Sequence, residues 1–231
     1  MKKHLSGFSR FELVLWSVSC VLICTVFLLF ASNDMLTLAA SLIGVTSLIF
    51  TAKGDAVGQL LMVVFSILYG IISYGFSYYG EMLTYLAMTA PMALFSLIAW
   101  LRHPYTGEGS QGRSEVAVGS LSRAECVFAA LLTCAVTAVF YFILRALGTA
   151  NIIPSTVSVV TSFLAVYLTA RRSPYYALAY AANDIVLIVL WTLASLENTS
   201  YISVTVCFTV FLVCDLYGFI CWRRMKKRQT A

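Results

Sequence analysis

Residues 201–228 read YISVTVCFTVFLVCDLYGFICWRRMKKR, an apolar run that passes without a break into Arg223, Arg224, Lys226, Lys227 and Arg228. About 20 apolar residues at ~1.5 Å rise each span the roughly 30 Å hydrocarbon core of a bilayer. A basic cluster directly after such a run is the flank that stays in the cytoplasm. One carboxyl, Asp215, interrupts the run about two turns before the basic cluster. Its position predicts an ion pair with Arg223 or a neighbouring base. This stretch therefore predicts an integral membrane protein whose C-terminus is cytoplasmic.

The rest of the chain repeats the pattern. Of 231 residues, 61% are hydrophobic and 11% charged, against roughly 25% charged in soluble domains. So few charges cannot cover a soluble surface of this size. Apolar runs at 11–31, 35–52, 57–79, 82–101, 124–147, 155–170, 175–194 and 201–222 predict about eight spans. The first follows Lys2, Lys3 and Arg10 but is too long for a signal h-region. It also lacks a small-residue cleavage site at Phe30-Ala31-Ser32, so it is read as a retained helix. With the N-terminus inside, 14 of the 15 Lys and Arg face the cytoplasm, Arg145 being the exception. Asp34, Glu81 and Glu197 then mark outer loops. Seven or nine spans would break this alternation, so both termini are expected to be cytoplasmic.

The spans form a repeat. Residues 35–101 and 151–222 each hold three spans. Each triplet has a short basic turn after its first span, Thr51-Ala52-Lys53-Gly54 in one and Thr169-Ala170-Arg171-Arg172 in the other. Each ends on Trp and Arg, Trp100 with Arg102 and Trp222 with Arg223. One span within 124–150 joins them. Three spans reverse the chain and one more reverses it again, so the triplets are parallel, related about an axis normal to the membrane. The expected architecture is an all-α polytopic membrane protein. It comprises an N-terminal cytoplasmic segment and extra helix (1–34), a three-helix bundle (35–101) and a flexible cytoplasmic linker (102–123). A linker helix (124–150), a second three-helix bundle (151–222) and a basic tail (223–231) follow.

Several chemistries are excluded. The linker's Gly107-Glu108-Gly109-Ser110-Gln111-Gly112 matches a dinucleotide fingerprint but lacks the βαβ setting that gives it meaning. There is no P-loop, H-E-x-x-H or G-x-S-x-G, and both histidines lie outside the spans, so no enzyme, cofactor or metal is expected. The seven cysteines are odd in number, lie in apolar runs and form no C-x-x-C, so they read as packing residues. Basic residues at one flank do not make a nucleic-acid face.

The polar residues inside the spans point to a small solute. Asp184 lies deep in the seventh span beside Asn183, and an intramembrane carboxyl must face the bundle interior or a wet cavity. Tyr180 and Asp184 share a helix face, which Leu187 and Trp191 continue. Tyr69 is too deep for the interfacial belt that suits Tyr78 and Tyr79. With Tyr85 and Gln59 it completes the candidate set Asp184, Asn183, Tyr180, Trp191, Tyr69, Tyr85 and Gln59. Asp184 alternatively bonds a neighbouring helix, and Tyr69 alternatively fills core volume. Pro91 is expected to kink the fourth span.

Ala52-Lys53-Gly54, Tyr79-Gly80-Glu81-Met82, Ala90-Pro91-Met92 and Trp100 before Arg102-His103-Pro104 resemble, in that order, the first half of the PnuC-type vitamin transporters. Arg171-Arg172, Asn183-Asp184-Ile185-Val186 and Leu190-Trp191 resemble the second half. The resemblance implies a SWEET-like fold, a homotrimer in the inner cell membrane and facilitated diffusion of nicotinamide riboside. It also implies trapping of the solute by a separate kinase. One feature departs from it: where such members carry W-x-x-W, this chain has Ala177 and Tyr180, with a platform expected from Tyr180 and Trp191. Thiamine, another vitamin or a deoxynucleoside therefore stays open as the solute, as does a non-transporting membrane subunit.

Overall fold

In the computed structural model, residues 8–31, 34–75, 78–107, 115–149 and 151–230 are described. Among them, eight helices are long and apolar enough to cross a membrane. They are α1 Arg10–Phe30, α2 Met35–Ala52, α3 Ala56–Gly75, α4 Tyr79–Arg102, α5 Arg123–Ala146, α6 Ile152–Ala170, α7 Tyr176–Ser195 and α8 Thr199–Gln229. The eight-helix expectation holds, with boundaries within a few residues except at the last. There the helix runs on through the basic segment that had been expected as a separate tail.

Local chemistry starts the two outlying helices in the same way. Ser9 and Glu12 form a capping box at α1, and Ser122 and Glu125 form another at α5. In each, the Ser hydroxyl accepts from the Glu backbone N–H and the Glu carboxylate accepts from the Ser N–H. These boxes satisfy donors that have no partner within the helix. Asp34 caps α2 by accepting from the Thr37 backbone N–H at 3.0 Å.

Six helices close into a ring. Within the first triplet α2 packs on α3 and α3 on α4; within the second, α6 packs on α7 and α7 on α8. The ring closes where α8 meets α2 and where α4 meets α6. These two joints are counterparts, each setting the last helix of one triplet against the first of the other. Helix α1 lies outside against α2 and α8, and α5 lies outside against α6. Both leave long apolar faces exposed, including Val14, Val21 and Leu29 on α1 and Leu131 and Phe142 on α5. Lipid is the solvent that suits them.

The repeat extends to single hydrogen bonds. Trp222, ending the second triplet, donates its indole N–H to the Thr51 carbonyl at the end of α2 (2.8 Å). Trp100, ending the first, donates to the Thr169 carbonyl at the end of α6 (3.0 Å). Each indole thus caps the other bundle, and the two rings meet at 5.3 Å. The turns they cap match as well. Gly54 at φ 70° and Arg172 at φ 57° are both left-handed, and Asp55 and Ser173 donate five residues back to the Phe50 and Leu168 carbonyls. This is the Schellman closure of a helix end.

The segment expected to be a flexible linker is tied down where it is described. Val116 N–H donates to the Gly54 carbonyl (3.0 Å) and Gly119 N–H to the Arg172 carbonyl (2.9 Å), so one strand of backbone grips both turns. Gln229 brackets it, accepting from Val118 N–H (2.7 Å) and donating to the Val116 carbonyl (3.1 Å). Ion pairs Arg228–Glu115 and Arg171–Glu125 flank it. The reason is the extension of α8, which carries Arg228 and Gln229 beyond the span to meet the strap. The glycine-rich match at 107–112 lies almost wholly outside the described residues.

Pro91 does not simply kink α4. Residues Thr84–Thr89 form a π-helical turn just before it, and Ala90 N–H reaches back five residues to the Tyr85 carbonyl. Proline lacks an N–H and its ring clashes with the carbonyl four residues earlier. Widening the preceding turn absorbs both defects, and such turns recur at functional sites.

Candidate solute-binding site

The ring of helices encloses a polar grouping and an aromatic one. The first is built on α7. Successive helical residues point about 100° apart, so Asn183 and Asp184 face different neighbours. The Asn183 side-chain oxygen accepts from three α6 hydroxyls, Thr161 at 2.8 Å, Ser162 at 2.9 Å and Ser158 at 3.4 Å. Asp184 turns towards α8, where its carboxyl faces that of Asp215. Both acids are at most 4% exposed, and Asp184 Oδ2 has no hydrogen-bond partner.

Asp215 therefore does not pair with the basic end as expected. Arg223 instead donates to the Tyr175 hydroxyl at 3.4 Å. The sequence distance to Arg223 suggested a pair, but eight residues along a helix is roughly 12 Å, and the α7 contact places Asp215 against Asp184. Asp215 is a further candidate that spacing within one span could not reveal.

The second grouping is aromatic. Tyr69 lies within 4.4 Å of the Tyr85 ring and 5.6 Å of Phe65. Its hydroxyl accepts from Trp191 Nε1 at 2.7 Å. Tyr78 packs edge-on to Trp191 at 4.9 Å and Tyr201 does so at 5.6 Å. Tyr78 is thus a buried member of this cluster rather than a belt residue. Tyr85 links the two groupings, being packed on Tyr69 and within electrostatic reach of both Asp184 and Glu81. Glu81, expected to mark an outer loop, is 1% exposed, and its Oε2 has no hydrogen-bond partner.

Two expectations about position change. Tyr180 and Trp191 were expected to form one platform, yet eleven residues separate them, roughly 16 Å along the helix. Trp191 belongs to the Tyr69 cluster, whereas Tyr180 packs against Tyr176 (6.2 Å) and beside Met88 and Phe163. Gln59 is buried, but its amide reaches the Thr51 hydroxyl at 3.5 Å, near the basic end. Its one side-chain bond among the described residues is thus at the basic end, away from the Tyr69 cluster.

Charge is distributed one-sidedly. Asp184, Asp215 and Glu81 are all buried, while no described Lys or Arg is. Both ends of the interior are closed, by Trp100, Trp222 and the strap at the basic end and by Trp191, Tyr78 and Tyr201 at the other. Nine-tenths-buried carboxyls among rings provide acceptors for a hydroxyl-bearing or cationic solute, and no described cationic side chain is buried with them to meet an anion.

Eight membrane-spanning helices, six of them closed into a ring that buries carboxyls and aromatic rings, define a polytopic membrane protein of the transporter class. Comparison with known proteins gives the family. Residues 34–224 match the family described as nicotinamide mononucleotide transporter, and the chain belongs to it. It is 27% identical over 227 residues to the nicotinamide riboside transporter PnuC of Neisseria mucosa, covering 97% of this chain and 85% of that protein. It superposes on the crystal structure of the vitamin B3 transporter PnuC with a TM-score of 0.87 and 26% identity, covering 99% of this chain and 97% of that one.

Proposed function

We propose that this protein carries nicotinamide riboside across the cell membrane by facilitated diffusion, in the chamber bounded by Tyr69, Tyr85, Tyr180, Asn183, Asp184 and Trp191. The observation that carries the reading is the buried Asp184–Asp215 pair beside aromatic rings, with no described base buried anywhere. A pyridinium ring supplies a delocalised positive charge for the carboxyls and a face for the tyrosines, and a ribose supplies hydroxyls for the polar groups. The mononucleotide fits less well, because its phosphate would enter a chamber lined by acids with no cation to meet it. Gln59 stays outside this set because its amide is engaged near Thr51.

Family likeness supports the rest of the reading: both termini in the cytoplasm of the inner membrane, a SWEET-like fold, a homotrimer, and trapping of the imported nucleoside by a separate kinase. The charge asymmetry of the loops supports the orientation. Thiamine is the second reading, favoured by Ala177 and Tyr180 standing where tryptophans are expected; it too pairs a positive ring with aromatic surface.

Thermal unfolding in detergent with candidate ligands tests the assignment. A ligand held only by the folded state at a hundred times its Kd adds about 2.7 kcal/mol of apparent stability. Nicotinamide riboside is expected to raise the transition and its phosphorylated form to leave it unchanged. A shift with thiamine alone refutes the substrate. In proteoliposomes, Asp184→Ala is expected to abolish uptake while the oligomer survives; normal uptake returns Asp184 to a packing role.

A further inference from the structure

We propose that Glu81 is a second carboxyl contact for the solute, at the outer side of the chamber, and that it sets the transporter's preference for a positively charged ring. This deepens the reading above and rests on its site.

Glu81 lies in the first turn of α4, where an acid ordinarily serves the helix itself. Glu12 and Glu125 do so, each bonding the N–H of its capping Ser. Glu81 does not: the capping residue is Tyr78, which makes no side-chain capping bond. The Glu81 carboxyl points inward. It lies beside Ser158, whose hydroxyl donates to Asn183 at 3.4 Å, and within electrostatic reach of Tyr69 and Tyr85.

Tyr85 in turn faces Asp184. Tyr85, packed on Tyr69 at 4.4 Å, thus lies in the electrostatic reach of one carboxyl from each bundle. Both acids carry a buried oxygen without a hydrogen-bond partner. A carboxylate buried this completely is costly without a counter-charge, and no described Lys or Arg is buried to provide one. A cation held against the tyrosine rings supplies it to both acids at once.

Binding calorimetry on the purified full-length protein tests this with two forms of one molecule. Nicotinamide riboside is a cation; its 1,4-dihydro form has nearly the same shape and no charge. Thiamine serves as a second organic cation. Wild type is expected to prefer the cationic riboside at least tenfold over the reduced form. Glu81→Gln is expected to bind the cation about tenfold more weakly and the reduced form within twofold of wild type. Glu81→Asp, which keeps the charge, is expected to recover most of the preference, and gel filtration of both variants monitors folding.

The proposal fails if Glu81→Gln keeps wild-type affinity for the cation. It fails equally if both variants lose both forms alike, which is a packing role. Should wild type bind thiamine and not the riboside, the substrate assignment falls while Glu81 is judged on thiamine by the same tenfold criterion. If wild type binds none of the three, both readings fall.

Discussion

Replacing Trp222 or Trp100 with Phe keeps a ring at the junction of the two bundles but deletes one hydrogen bond. In Trp222→Phe the Thr51 carbonyl loses an indole donor at 2.8 Å but keeps the Tyr176 hydroxyl at 3.4 Å nearby. In Trp100→Phe the Thr169 carbonyl loses its donor at 3.0 Å and keeps only the turn N–H of Arg172 at 2.9 Å. Stripping a buried acceptor of a partner costs about 1–3 kcal/mol, though interhelical bonds in membrane proteins average nearer ~0.6 kcal/mol. Both indoles are at most 2% exposed and bond helix ends, whose carbonyls lack partners within their own helices. We therefore expect about 1–2 kcal/mol for each variant, Trp100→Phe being the larger because no tyrosine stands in.

The rings touch, so the effects are not independent. Residues in contact couple by about 0.5 kcal/mol or more. Once one indole is gone the other has lost part of its packing, and the double variant should cost less than the sum. Reversible unfolding in mixed micelles titrated with a denaturing detergent measures all three. Additivity within about 0.3 kcal/mol, or a larger loss in Trp222→Phe, would refute the idea that matched caps weld the bundles at a shared axis.

Gly119→Ala places a methyl 2.3 Å from the Arg171 carbonyl oxygen, which is backbone and cannot swing aside. It should lower stability by about 1–3 kcal/mol, seen as a depressed thermal transition. Arg228→Met strands the buried Glu115 carboxylate and should be more damaging than Arg228→Met with Glu115→Gln; a double-mutant cycle in the same detergent reads this. Exchanging neighbours, Asn183→Asp with Asp184→Asn, keeps composition and should keep the fold, because the three α6 hydroxyls can donate to a carboxylate. Uptake in proteoliposomes should be lost, and full uptake would show that the two positions are equivalent.

The fold was legible because lipid simplifies the code. Apolar length marked the spans, and the placement of Lys and Arg gave an expected alternation. Even the repeat could be read, since Thr51-Ala52 and Thr169-Ala170 precede matching turns and Trp100 and Trp222 end matching helices. What those tryptophans do could not be read, because each acts on the other bundle. The site was half legible for the same reason. Asp184 announced itself by the cost of a carboxyl in lipid. Asp215 carried the same signal but had a tempting basic neighbour in sequence. Glu81 was hidden by its position near a span end, where acids are ordinarily wet. The strap was missed because glycine-rich composition says nothing about partners such as Gln229, a hundred residues away.

A symmetric frame holds an asymmetric site, and the contrast bears on how a solute would lie in it. The two bundles supply equivalent caps and equivalent turns, so neither half of the scaffold is distinguished from the other. The polar groups are not equivalent. The second bundle contributes Tyr180, Asn183, Asp184, Trp191 and Asp215, whereas the first contributes Tyr69, Tyr85 and Glu81. Duplicating one half would give a chamber with the same lining on both sides and no reason for a nucleoside to enter one way round. Here the second bundle offers two carboxyls and an amide beside Tyr180 and Trp191, and the first offers Tyr69 and Tyr85 beside a single carboxyl. A molecule with a flat charged end and a hydroxylated end thus has a single orientation in which both ends are met.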